Sequence, residues 1–206
     1  MLEHVPAWMG KLLTNVRAGH EQLAVMKVGA PEAAPMIPLS SPAFAAGARL
    51  PIRFTADGEG VSPPLIWSDL PAGTASVALI VEDPDAPAPN PLVHALVWDL
   101  PPDHRQIEEG AIGADMRSAA TIGRNSYFAQ AWLPPDPPTG HGAHDYVFQL
   151  FALSQSVDLG ETPGRSAMLE AIADRLLGVG LLVGTYSRAE ASPVGPATLA
   201  PAPAPE

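Results

Sequence analysis

The chain has 206 residues, a formal net charge of −11 and no cysteine. That length holds one domain of about 150 residues with extensions rather than two full-sized ones, and the missing cysteines exclude disulfides, thiolate metal sites and cysteine nucleophiles together. The charge argues against nucleic acid as a partner, because phosphate backbones are held by clustered Lys and Arg and the only lysines are Lys11 and Lys27.

Proline supplies 25 residues and glycine 18, with 47% hydrophobic residues. Against a usual proline share of about 5%, this favours short strands joined by rigid loops over a helix bundle, so the expected class is mostly β. In chain order, Leu2, Val5, Trp8, Met9, Leu12, Leu13 and Val16 fall at helical spacing, with Lys11, Asn15 and Arg17 off the stripe. This predicts an amphipathic helix over roughly 1–24 that covers the domain or a second copy, making a homodimer a natural partner arrangement. Residues 28–36 read as a linker, which puts an N-terminal helix and linker at 1–37 and the main domain at 38–188. No run in the first 30 residues has signal-peptide length and none elsewhere reaches the roughly 20 residues of a membrane span. The expectation is a soluble, cytoplasmic protein without stable membrane insertion.

Strand-like segments follow at Ile66 to Trp67, Val77 to Glu82, Leu92 to Leu100 and Tyr146 to Leu153. Between the second and third runs Val81-Glu82-Asp83-Pro84-Asp85-Ala86-Pro87. Pro84 and Pro87 fix their own φ and push Asp83 and Ala86 into extended geometry, so the two aspartates sit on a stiff turn, predicted at a sheet edge. A second stiff loop, from Pro134-Pro135 through Asp136, Pro137 and Pro138 to Gly140-His141-Gly142-Ala143-His144, opens the Tyr146 strand. Thr162-Pro163 reads as a helix start, with Met168, Leu169, Ile172 and Leu176 at helical spacing until Gly178 stops the helix. A last strand, Leu181 to Tyr186, precedes a Pro/Ala tail, 189–206, too poor in buriable surface to fold.

Two imidazoles, His94 and His144, with Asp83, Asp85 and Tyr146 form a set of donors and acceptors. Imidazoles beside carboxylates gain a raised pKa, so these rings are expected to hold charge, and an anion, better below neutrality. Acids in a proline turn also serve as acceptors for loop amides, and a histidine inside an apolar strand is commonly a satisfied core residue. Two His with Asp can hold a divalent ion, but His141-Gly142-Ala143-His144 is too glycine-rich for a preformed chelate, so no metal or cofactor is expected. Gly-x-Ser-x-Gly is absent, and Ser62 in Ser-Pro-Pro reads as a cap.

The acidic proline turn, the later His94, and Gly142-Ala143-His144-Asp145-Tyr146 opening a buried strand resemble the phosphatidylethanolamine-binding protein family, in its bacterial Raf-kinase-inhibitor-like branch. The resemblance takes in Asp57-Gly58, Ser62-Pro63-Pro64-Leu65-Ile66-Trp67, Leu70-Pro71-Ala72-Gly73-Thr74, Gly123-Arg124-Asn125-Ser126 and Gly180-Leu181-Leu182-Val183-Gly184-Thr185-Tyr186. It implies a β-sandwich with one or two peripheral helices and a cavity for anions and phosphate-bearing headgroups. Asp83, Asp85, His94, His144 and Tyr146 carry over to that cavity one by one, with Pro134 and Pro135 as a wall. Asp145 stands where the family has arginine, reversing a charge at the margin; His141 is expected to be an exposed loop residue. The implied role is a binding or regulatory module for a small anionic or phosphorylated group, free or on a protein partner, in the manner of a kinase or protease inhibitor. The alternative is an enzyme using His94 or His144 with Asp83 or Asp85 as an acid/base pair.

Overall fold

The computed structural model describes residues 16–29, 34–113, 116, 120–160 and 163–188. Residues 1–15 of the helix predicted over 1–24 lie outside the described residues, as do Thr162 and the 189–206 tail; over 16–23 the chain forms only the 3-10 turn His20–Gln22 instead of a continuous helix. Two antiparallel sheets face each other. The small one has the order β1 (Leu39–Ser40), β2 (Leu65–Trp67), β5 (Gln106–Ile107). In the large one the order is β6 (Thr121–Ile122), β4 (Leu92–Leu100), β3 (Ser76–Asp83), β7 (His144–Leu153), β8 (Leu176–Tyr186).

β3 is buried along its whole length, because both faces of the large sheet are covered. Val77, Leu79 and Val81 alternate toward the layer between the sheets, where they meet Leu50, Leu65, Trp67, Ile107, Phe148 and Leu150. Ala78 and Ile80 face the other way, toward Ala24, Val28, Leu96, Trp98, Phe151, Met168 and Ile172. The period of two along a strand thus feeds two cores, which is why these segments read as continuous apolar runs. The helix Arg165–Ala173 covers the outer face together with a single helical turn, Ala24–Lys27.

Three sequence expectations are corrected here. The helix ends at Ala173, and Leu176–Tyr186 is one long strand, so Gly178 is a strand residue. A Cβ there would lie 2.8 Å from Pro71 Cγ and 3.0 Å from the Pro35 carbonyl oxygen; glycine allows the close approach of another backbone rather than stopping a helix. The linker is partly integrated, since Val179 donates to the Pro35 carbonyl at 3.2 Å and Ile37 to that of Val179 at 2.7 Å. Asp83 lies at the end of β3, the middle strand of five, and not on an outer strand. Among the described residues no helix is long and apolar enough to cross a membrane.

Candidate ligand pocket

β3 ends at Asp83, β4 starts at Leu92, and β7 starts at His144, so three neighbouring strands bring these ends to one rim of the inter-sheet layer. The segment around Leu133 closes over β4, its N–H donating to the His94 carbonyl at 2.8 Å. Between these elements lies a cavity of about 210 Å³. Asp83, His94, His144 and Asp136 supply its polar lining, while Ala86, Pro87, Ala88, Leu92, Tyr127, Leu133, Pro134, Pro137 and Pro138 make the rest of the wall.

The acids and imidazoles are chained. His144 Nδ1 donates to Asp83 Oδ2 at 2.8 Å, and His144 Nε2 is joined to His141 Nδ1 at 2.6 Å. A carboxylate accepts, so Nδ1 of His144 carries a proton, while Nε2 shares a hydrogen with His141 Nδ1. Both nitrogens of His144 are therefore committed inside the protein. Asp83 Oδ1 accepts the Asp85 N–H at 2.8 Å, and Asp85 Oδ2 accepts the Asp145 N–H at 2.7 Å.

His94 is different. Its Nδ1 donates to the Leu133 carbonyl at 2.5 Å, and its Nε2 is buried without a hydrogen-bond partner among the described residues. The ring is wedged edge-on against Tyr146, centroids 5.1 Å apart, and lies 5.9 Å from Trp132. Burial pushes its pKa below the ordinary histidine value, outweighing the opposing pull of Asp83 and the Leu133 hydrogen bond, with His144 adding to the depression. The expected raised value fails because burial of the ring outweighs the nearby Asp83 carboxylate. Tyr146 is fully buried, and its hydroxyl also lacks a partner among the described residues; burial first, then the nearby Asp83 and Asp136, hold its pKa well above the ordinary value.

Asp136 is held by Arg188, whose Nη2 is 2.5 Å from Asp136 Oδ1 and 2.7 Å from Asp57 Oδ1. Arg188 also donates to the Pro137 carbonyl at 3.2 Å. The Asp57 carboxyl is lowered chiefly by the Arg188 hydrogen bonds, against the effect of burial. This clamp neutralises charge at the cavity wall and fixes the proline-rich loop. Neither Asp136 nor Arg188 was singled out from sequence, although Asp136 between two Pro-Pro pairs carries the same signal that marked Asp83.

Of the residues expected at the cavity, Asp83, His94, His144 and Pro134 line it. Asp85 is turned away, pairing through Oδ1 with Arg17. Tyr146 backs His94 from the core, and Pro135 is buried off the lining, its carbonyl accepting from Ala56 at 2.9 Å. His141, expected to be exposed, is fully buried because its ring caps His144. Asp145 points outward to His20, 3.1 Å from its Nε2. His20, Asp85 and Asp145 offer ligand atoms within 4.8 Å of one another, but the Arg17 guanidinium already on Asp85 opposes a cation there.

The model of the phosphatidylethanolamine-binding protein family matches residues 40–187. The chain belongs to this family. A UPF0098 protein from Methanothermobacter thermautotrophicus is 36% identical over 151 residues, covering 73% of this chain and 98% of its own. The UPF0098 protein PH1269 from Pyrococcus horikoshii is 31% identical over 191 residues, 91% of this chain and 95% of its own. Among solved structures, the family homologue CT736 from Chlamydia trachomatis is 32% identical with a TM-score of 0.68, covering 74% of this chain and 98% of its own. E. coli YbcL, at 23% identity, 74% and 99% coverage and a TM-score of 0.70, shares the fold.

Proposed function

We propose that this family member is a non-catalytic binding module whose cavity takes up the oxyanion head of a small phosphorylated ligand together with a proton at His94. The observation that carries this reading is His94 Nε2, a cavity nitrogen left open among the described residues. The Leu133 carbonyl can only accept, so Nδ1 keeps its hydrogen and Nε2 is either a bare lone pair or a charged N–H. An anion is bound by the charged form, and a P–OH group by the bare one. A phosphate monoester with its second pKa near about 6 offers both. The largely apolar wall suits an organic substituent behind the head.

The acid/base enzyme reading is the weaker one on this geometry. His144, the ring paired with a carboxylate, has no open nitrogen, and His94, the ring with an open nitrogen, has no carboxylate partner.

Calorimetry separates the two. Sulfate cannot bring its own proton near neutrality, so its binding at pH 7 should take up a proton from buffer, tighten about tenfold per pH unit toward pH 6, and vanish in His94→Gln. Binding of O-phosphoethanolamine without release of inorganic phosphate fits the module; catalytic phosphate release, or sulfate binding unchanged in His94→Gln, refutes it.

A further inference from the structure

The segment preceding the single turn Ala24–Lys27 is laid against the back of the two loops that meet at the cavity. Ala18 N–H donates to the Ala86 carbonyl at 3.0 Å and Gly19 N–H to that of Pro84 at 2.8 Å. Arg17 reaches further. Its Nη1 pairs with Asp85 Oδ1 and donates to the Ala143 carbonyl at 3.3 Å. One guanidinium nitrogen thus joins the acidic turn to the loop that delivers His144.

From Asp85 the connection runs directly to the cavity. The Asp85 carboxylate holds the Asp145 N–H, next to His144, and the Asp85 N–H holds Asp83 Oδ1, whose partner oxygen holds His144. The Arg17–Asp85 pair is half-buried on the arginine and buried on the aspartate, with side-chain exposures of 34% and 9%. It is therefore screened less than a surface pair. The neighbouring His20–Asp145 pair is exposed, at 56% and 36%, and contributes little. Gly142 takes φ +105 beside the arginine, a backbone conformation favouring glycine.

We infer that Arg17 is a positioning residue for the cavity: by joining Asp85 to the Ala143 carbonyl it fixes the relative placement of Asp83 and His144. The segment outside the 40–187 family match is then part of the binding device, whatever small ligand the cavity takes. Loss of Arg17 frees the two loops to separate, while the sheets keep their own hydrogen bonds.

The test is hydrogen exchange of the His144 imidazole N–H, followed by NMR in the full chain. In the unaltered protein, this proton, buried against Asp83, should exchange slowly. In Arg17→Gln it should exchange at least tenfold faster while amides of β3 and β7 keep their rates, and Arg17→Lys should recover part of the protection. Arg53→Gln, which removes a surface cation paired with Glu59 and Glu109, should change nothing. Equal protection in Arg17→Gln overturns the inference. So does a parallel loss across the β3 and β7 amides, which would make Arg17 a general stabiliser. Sulfate titration of the same samples adds an independent readout: affinity should fall about tenfold in Arg17→Gln. Failure of sulfate to bind the unaltered chain would remove the proposed ligand but leave the exchange result to decide the role of Arg17.

Discussion

Glu82 and Asp83 are consecutive on β3, yet their carboxylates serve opposite faces of the large sheet. Asp83 faces the cavity and accepts from His144. Glu82, fully buried on the other face, accepts from Arg165 Nε at 2.5 Å, Gln149 Nε2 at 2.8 Å and the Ala24 N–H at 2.7 Å. Gln149 Oε1 in turn accepts the Val25 N–H at 2.8 Å, and Arg165 donates to the Gln22 carbonyl. The acidic motif therefore contributes one carboxylate to the cavity and one to anchoring the N-terminal segment.

Removing Glu82 leaves the Arg165 guanidinium, the Gln149 side-chain amide and the Ala24 N–H without their shared acceptor. Breaking a buried pair from one side costs about 3–5 kcal/mol. Glu82→Gln should accordingly lower stability by about 3 kcal/mol in urea unfolding, and Glu82→Gln with Arg165→Met should cost less than the sum of the single changes. Additive costs would show that the two groups act separately.

The strands were legible because Pro and Gly punctuate apolar runs: Leu92–Leu100 coincides with the segment read from sequence, and β3 and β7 differ from it by one or two residues. The end of the helix was not, because a glycine after an apolar stripe gives the same local signal whether it stops a helix or lets a strand pass close to Pro35. Asp83, His94 and His144 were legible as a group. The direction of each side chain was not, since Asp85 and Asp145 turn away through contacts with Arg17 and His20, more than sixty residues distant in sequence. The burial of His141 depends on a ring contact that its glycine-rich surroundings do not announce.

Gly184 lies on the face of β8 that packs into the inter-sheet core. A Cβ at this position would come within 2.5 Å of Leu50 Cδ2 and 3.0 Å of Phe44, both buried in the inter-sheet core. Gly184→Ala should cost about 1–3 kcal/mol through overpacking, and trimming Leu50 to alanine in the same chain should return part of that cost. A melting temperature unchanged by Gly184→Ala would mean that the Phe44–Leu50 loop yields freely.

Tyr146 offers the opposite outcome. Its hydroxyl is buried without a hydrogen-bond partner among the described residues, and desolvating an unpaired hydroxyl costs about 1–3 kcal/mol. Tyr146→Phe keeps the edge-on contact with His94 and removes that burden, so the unliganded protein should be as stable as before or more stable by about 1 kcal/mol. A clear loss of stability would show that the hydroxyl is satisfied in solution.

His94 should govern the acid limb of the stability curve. Its pKa is lowered in the folded protein, first by burial, while in the unfolded chain it titrates near about 6.5. Below that pH the unfolded state binds a proton that the folded state refuses, so stability is fully present above about 6.5 and is lost as pH falls toward and through the folded value. The contribution to the slope is at most about 1.4 kcal/mol per pH unit for one proton. Urea unfolding at pH 8, 7, 6 and 5 should therefore show a steeper decline for the unaltered protein than for His94→Gln, with the two curves parallel above pH 7. Saturating sulfate should flatten the decline for the unaltered protein, because an anion at Nε2 favours the charged ring, and should leave the His94→Gln curve unmoved. Parallel curves at every pH would mean that the folded ring takes its proton as readily as the unfolded one, and would remove the coupling between proton and anion at this nitrogen.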